Sequence, residues 1–148
     1  MNIYLDVCCL NRPFDDQTQD RIHLEAEAVI SILAHIEQGE WTWVSSGIVN
    51  YEVSRTTDQE RLQRLRSLTR HASEFVPVGP NVRERATELQ ESLGIKSYDA
   101  LHIACAEEAG ADVFLSTDDK LVRAAKRQQP VTKIKIENPL TWLQSVIE

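Results

Sequence analysis

Residues 97–119 read SYDALHIACAEEAGADVFLSTDD, and a helix, a strand and the start of a second helix follow one another within them. Ser97 offers an N-cap for a helix carrying Tyr98, Asp99, Ala100, Leu101, His102, Ile103 and Ala104 as far as Gly110, a residue suited to ending it. Val113 to Leu115 is a short apolar run of strand type, and Thr117 caps a further helix from Asp118 to about Arg127. A helix feeding a buried strand that feeds another helix is the building unit of an α/β domain.

The flanking sequence repeats that unit. Ile3 to Leu5 predict a buried strand ending at Asp6, and Cys8 to Asp20, polar and interrupted by Pro13, a loop. Leu24, Ala28, Ile32 and Ile36 recur at helical spacing and predict a helix from about Gln19 to Glu37, stopped by Gly39. Trp41 to Val44 is a second strand, and Ser45 and Ser46 offer the cap of the helix that carries Ile48, Val49, Tyr51, Glu52 and Val53. Further elements are a helix over Asp58 to Thr69, a strand over Glu74 to Val78, a helix over Asn81 to Leu93, a strand over Lys133 to Ile136 and a C-terminal helix opened by Asn138-Pro139. The expectation is a single domain over residues 1–148 with a central, mostly parallel five-stranded sheet flanked by helices.

The composition narrows the function. Lys and Arg number 16 against 23 Asp and Glu, a formal charge of −7, which excludes a nucleic-acid binder working by overall charge. It leaves open an enzyme that recruits positive charge as metal ions. Cys8, Cys9 and Cys105 show no zinc spacing and read as reduced thiols. MNIYLDVCC does not read as a signal peptide, and no apolar run approaches the roughly 20 residues of a membrane span, so a cytoplasmic setting is expected.

Ligands of parallel α/β sheets bind outside the carboxyl ends of the strands. The residues expected there are acids: Asp6 after the first strand, Glu52 after the second, Asp99 at the start of a helix, and Asp118 and Asp119 after the fourth strand. Clustered carboxylates repel and need a counter-charge, which hard divalent ions such as Mg²⁺ or Mn²⁺ supply through oxygen ligands. Such ions activate water and stabilise a reacting phosphate. The residues therefore point to metal-assisted phosphodiester hydrolysis. No Gly-rich phosphate loop and no Ser-His-Asp arrangement competes with this reading.

Four segments carry a family likeness. IYLDVCCLN resembles the first motif of PIN-domain nucleases, SSGIVNYEV the second, and SYDALHIACAEEAGADVFLSTDD the third and fourth joined. The likeness implies a PIN-like three-layer sandwich, and more narrowly it is similar to VapC-type ribonuclease toxins. It implies Asp6, Glu52, Asp99 and Asp118 as the catalytic, metal-binding acids of a Mg²⁺- or Mn²⁺-dependent endoribonuclease, with Asp119 the alternative to Asp118 in a Thr-x-Asp register. It also implies cleavage to a 5′-phosphate and a 3′-hydroxyl, an antitoxin partner and a homodimer. Val7 and Cys8 stand where the family often has Thr or Ser and then Asn; a thiol lacks the hydrogen-bonding range of an amide, so Ser46, Asn50 and Asn11 are the candidate supports for Asp6.

Each residue has a plainer alternative. Asp6 could solvate a turn, Glu52 could pair on a surface, and Asp99, Asp118 and Asp119 could serve only as first-turn acids. His102, three residues from Asp99, is more simply a packed histidine than a catalytic one. The Arg61, Arg64, Arg66 and Arg70 run is simplest as a solvated face, whereas Arg12 lies where a phosphate would approach. Trp41 and Trp43 read as core or dimer surface, and Cys105 as core. A phospho-receiver is excluded because Phe75-Val76-Pro77-Val78-Gly79-Pro80 holds no Asp. The remaining alternative to a nuclease is a catalytically silent PIN scaffold acting through protein partners.

Overall fold

The structure is a computed structural model and describes residues 1–128 and 131–147. Its centre is a five-stranded sheet in the order β3-β2-β1-β4-β5, formed by β1 (Asn2–Leu5), β2 (Thr42–Ser46), β3 (Glu74–Val76), β4 (Val113–Leu115) and β5 (Lys135–Glu137). Every neighbouring pair is parallel, so the expected mostly parallel sheet is parallel throughout. Around it lie α1 (Val7–Asn11), α2 (Asp20–Glu37), α3 (Gly47–Ser54), α4 (Gln59–Thr69), α5 (Pro80–Leu93), α6 (Ser97–Glu108), α7 (Asp119–Arg127) and α8 (Pro139–Val146).

The central strands are covered on both faces, which selects continuous apolar runs over alternation. Ile3, Tyr4 and Leu5 of β1 and Val113, Phe114 and Leu115 of β4 are all buried. Tyr4 stacks on Phe114 with ring centroids 5.3 Å apart, fixing the central pair of strands. Trp43 is core, whereas Trp41 is half-buried between His35 of α2, at 4.5 Å, and Trp142 of α8, at 5.0 Å. Three glycines end helices in the left-handed conformation: Gly39 (φ 80°) after α2, as its sequence position predicts, Gly94 (φ 65°) after α5 and Gly110 (φ 68°) after α6. The last of them leads the chain into β4.

The structure adjusts several sequence expectations. The predicted loop over Cys8 to Asp20 contains α1 and a 3₁₀ turn over Arg12–Phe14. The cause is Asp6, whose side chain caps α1 at its first amide, a signal hidden by the shortness of the helix. α6 begins at Ser97 with Lys96 as its N-cap, and α7 is capped by Asp118 rather than Thr117. Ser46 is the cap of α3, as its sequence position predicts.

The strand order makes the sheet run outward from β1 in both directions, which places a switch point between β1 and β4. The carboxyl ends of those two strands deliver Asp6 and Ser116-Thr117-Asp118 to the same crevice.

Candidate functional site

Asp6 follows β1 directly and is almost fully buried. Its amide donates to the Leu115 carbonyl of β4 at 3.0 Å, so strand pairing fixes where its side chain starts. One carboxylate oxygen accepts from the Val7 amide at 2.8 Å and the other from the Ser116 hydroxyl at 2.9 Å. The Ser116 oxygen in turn accepts from the Asp118 amide at 3.1 Å, tying the two acid-bearing loops together. Asp118 spends one carboxylate oxygen on the Lys120 and Leu121 amides as the cap of α7.

Asp99 lies in the first turn of α6, half-buried, and no hydrogen bond or ion pair reaches its carboxylate among the described residues. Burial first, and then the charges of Asp6 and Asp118, push its acid group up to about 6. A carboxylate disfavoured in this way by its own neighbours is a candidate oxygen ligand for a cation.

Glu52 is held differently. Its carboxylate accepts from Nε2 of His102, which is fully buried in α6 and also lies 3.8 Å from Asp6. Nδ1 of His102 meets the Tyr4 hydroxyl at 2.7 Å, and that hydroxyl meets Ser46 Oγ at 2.7 Å. Burial works against the charged imidazolium, but the Glu52 hydrogen bond and the charges of Asp6, Glu52 and Asp99 outweigh it and raise the pKa of His102. With His102 neutral the chain has one direction: Ser46 donates to Tyr4, Tyr4 to Nδ1 and Nε2 to Glu52. A second proton on the ring reverses the two Tyr4 links and leaves the last unchanged. The plain reading of His102 as a buried, hydrogen-bonded residue describes where it sits, yet its partner is one of the candidate acids. Tyr4, buried in β1, gave no sequence signal of this role.

The structure thus groups Asp6, Asp99 and Asp118 around the crevice and holds Glu52 beside them through His102. Asp119 points elsewhere: its two oxygens take Arg21 at 2.5 and 2.6 Å, and that guanidinium keeps its carboxyl below the usual range. In this geometry no three His, Cys, Asp or Glu side chains among the described residues close to a coordination shell. The donor set nevertheless fits a hard divalent ion, since the acids at the crevice offer oxygen and the Asp99 carboxylate has no ion-pair partner among the described residues.

Ser116 supports Asp6 in place of the three residues expected from sequence. Ser46 is committed to Tyr4 and the α3 amide, Asn11 donates to the Val7 carbonyl, and Asn50 is exposed. Cys8 lies against this support, with its sulfur 3.4 Å from Ser116 Oγ and accepting from the Thr117 amide at 3.4 Å. Cys9 and Cys105 are buried, and burial raises both thiols, Cys105 to about 11.

The arginines near the first motif are not free to meet a phosphate. Arg12 binds Glu25 at 2.8 Å and Asp15 at 3.1 Å. Glu25, 1% exposed on α2, also takes Arg21 and the Asn138 amide nitrogen. Arg61 is bound to Asp15, the Asn11 side chain and the Phe14 carbonyl. The predicted solvated face holds for Arg64, which pairs with Glu60 in the open.

A family model described as PIN domain matches residues 3–127. No curated protein matches the chain. Two solved structures show the likeness of fold. VapBC2 from Rickettsia felis, bound to a DNA fragment from the promoter, aligns at a TM-score of 0.58 with 19% identity, covering 93% of this chain and 98% of that one. PAE2754 from Pyrobaculum aerophilum aligns at a TM-score of 0.58 with 16% identity, covering 98% of this chain and 90% of that one.

Proposed function

This chain belongs to the PIN-domain family, and from that premise we propose that it is a metal-dependent endoribonuclease, the toxin of a toxin-antitoxin pair. The observation that carries the reading is Asp99: a half-buried carboxylate, unpaired among the described residues, pushed up to about 6 by burial and by Asp6 and Asp118. Asp6, Asp99 and Asp118 are the residues that would hold Mg²⁺ or Mn²⁺. The ion would supply activation of water and relief of negative charge at the phosphate.

The chain's own residues do the rest. Ser116 keeps one Asp6 oxygen oriented, and the α7 amides keep one Asp118 oxygen turned toward its helix, so both acids meet a cation with little freedom to lose. His102 restrains Glu52 at the edge of the crevice, where it can take a proton from water or join the ligand set. Among the described residues no side chain is placed as a covalent nucleophile. Asp119 belongs to the Arg21 ion pair, and we assign the fourth-motif ligand to Asp118.

The toxin assignment is supported by the family and by the likeness of fold to a VapBC complex. An antitoxin whose segment covers the acidic crevice, a homodimer and a cytoplasmic setting complete the reading. Among the described residues no helix is long and apolar enough to cross a membrane.

The test is cleavage of a mixed structured and single-stranded RNA pool by the purified protein in Mn²⁺, Mg²⁺ or EDTA, with Asp99→Asn as control. Metal-dependent cuts that vanish in the variant are expected. Absence of both cuts and a Mn²⁺-induced rise in melting temperature would refute the enzyme reading and leave a scaffold acting through partners.

A further inference from the structure

Outside the acids, the positive charge of the molecule is unevenly available. A groove of about 300 Å³ starts at Asp99 and Asp118 and runs between the start of α6 and the side of α7. Lys96, Lys120, Arg123 and Arg127 line it. All four are exposed, and none makes an ion pair among the described residues. Lys120, Arg123 and Arg127 recur on one face of α7 over about 10 Å of helix. A second groove, of about 610 Å³, opens on the α1 side; its Arg12 and Arg61 are neutralised by Asp15 and Glu25, and Arg55 is the one cation lining it that makes no ion pair among the described residues. In a chain of formal charge −7, unpaired cations gathered along a path to the acids form a track for an anionic polymer.

A second observation says what kind of polymer. Tyr51 immediately precedes Glu52, and Tyr98 immediately precedes Asp99. Their rings meet edge to face at 5.9 Å and remain 43% and 47% exposed. The Arg55 guanidinium lies 5.8 Å from the centre of the Tyr51 ring. Exposed aromatic faces beside a cationic groove are how proteins grip unpaired bases, and a duplex keeps its bases stacked out of their reach.

We propose that the α7 groove carries the phosphates of a single-stranded RNA segment to the acids, and that Tyr51 and Tyr98 stack a base beside the phosphate to be cut. The proposal rests on the nuclease reading and adds the side from which the strand approaches and the residues that grip it. Charge complementarity also fits an acidic protein segment, but such a segment leaves the tyrosine pair unexplained.

The test uses the full chain and a labelled, unstructured RNA of about 12 nucleotides. Affinity is measured by fluorescence anisotropy in the Asp99→Asn background, and KM and kcat are measured in the otherwise unchanged enzyme. Lys120→Ala/Arg127→Ala is expected to weaken binding, reduce the slope of log K against log salt by about 1.4 and raise KM more than it changes kcat. Tyr98→Ala is expected to weaken binding about tenfold, while Tyr98→Phe, which keeps the ring, stays near the parent. Arg66→Ala/Arg70→Ala, which removes the same charge from α4 outside this groove, is the matched control. An RNA hairpin without free ends should bind more weakly than the unstructured strand, and a single-stranded DNA of the same sequence measures how far the track prefers RNA.

Equal loss in the α4 control, equal binding of the hairpin, or equal loss in Tyr98→Phe and Tyr98→Ala would overturn the proposal while leaving metal-dependent cleavage intact. So would light scattering in which Tyr98→Ala converts a dimer to a monomer, since the aromatic pair would then be a self-interface. Unchanged affinity in Lys120→Ala/Arg127→Ala would pass the groove to an acidic protein segment. A parent enzyme that neither cuts nor binds any RNA would overturn the nuclease reading itself.

Discussion

Replacing Asp99 by Asn is expected to stabilise the metal-free protein at about pH 7.5 and to leave it unchanged at about pH 3. The acid is pushed from an ordinary 3.8 to about 6 by burial and by the charges of Asp6 and Asp118. A folded-state value raised above the unfolded one means that folding favours the protonated form. The stability this confers is fully present below the unfolded-state value, near 3.8, and is lost as pH rises through about 6. The displacement corresponds to at most about 3 kcal/mol. The side chain is only half-buried, so solvent screening leaves about 1–1.5 kcal/mol of that ceiling. Asn also gives up a favourable first-turn charge on α6, worth about 0.3–1 kcal/mol. The net gain near pH 7.5 is then centred on about 0.6 kcal/mol (range about 0–1.2), a rise in melting temperature of about 2 °C. Thermal melts of both proteins in EDTA at the two pH values measure it. Addition of Mn²⁺ should reverse the order, because only the parent keeps the complete acid set. Melting of Asp99→Asn at or below the parent at both pH values in EDTA would falsify the view that the crevice is an unbalanced acid cluster.

Three further outcomes follow from contacts at and near the crevice. Ser116→Ala should lower stability by about 1.5–3 kcal/mol, since the hydroxyl donates to a buried carboxylate and accepts the Asp118 amide; urea denaturation reads this directly. Glu25→Gln should lower it by about 3 kcal/mol, because a buried carboxylate shared by Arg12, Arg21 and Asn138 is replaced by an uncharged group beside the two guanidiniums; a melting temperature within 2 °C of the parent would contradict that. His102→Ala should cost about 2–4 kcal/mol by opening a cavity and orphaning Tyr4, and it should free Glu52; thermal melts measure the loss.

The order of elements and most of their bounds were legible because each rests on local signals. The helical spacing of α2, the glycines after α5 and α6 and the apolar runs of β1 and β4 are all written within a few residues. The errors fall where a cap belongs to the neighbouring residue. Asp6 was legible as an acid at a strand end, but not as the cap of a five-residue helix. The sequence register favoured Asp118 and left Asp119 open; that Asp119 pairs with Arg21, nearly a hundred residues away in sequence, could not be read from it. Ser116 and Tyr4 were equally invisible as supports, since each acts through a partner on another strand or helix, and composition does not record who faces whom.

Net charge misleads for the same reason. A value of −7 argues against binding a polyanion by charge, and it averages over arginines in opposite states. Arg12, Arg21 and Arg61 carry full charges, yet Glu25, Asp15 and Asp119 cancel their far field within hydrogen-bond distance. At a Debye length of about 8 Å in physiological salt, a phosphate approaching that side meets near-neutral pairs. On the α7 side, Lys120, Arg123 and Arg127 face solvent without acid partners among the described residues, so the same phosphate meets uncancelled charge. On the proposed nuclease reading, the acids at the end of the groove would repel the strand and a divalent ion held there would relieve that repulsion. Binding along the groove should then tighten on adding Mn²⁺ in the parent more than in Asp99→Asn, while the acidic surface elsewhere would keep the strand from settling off the track.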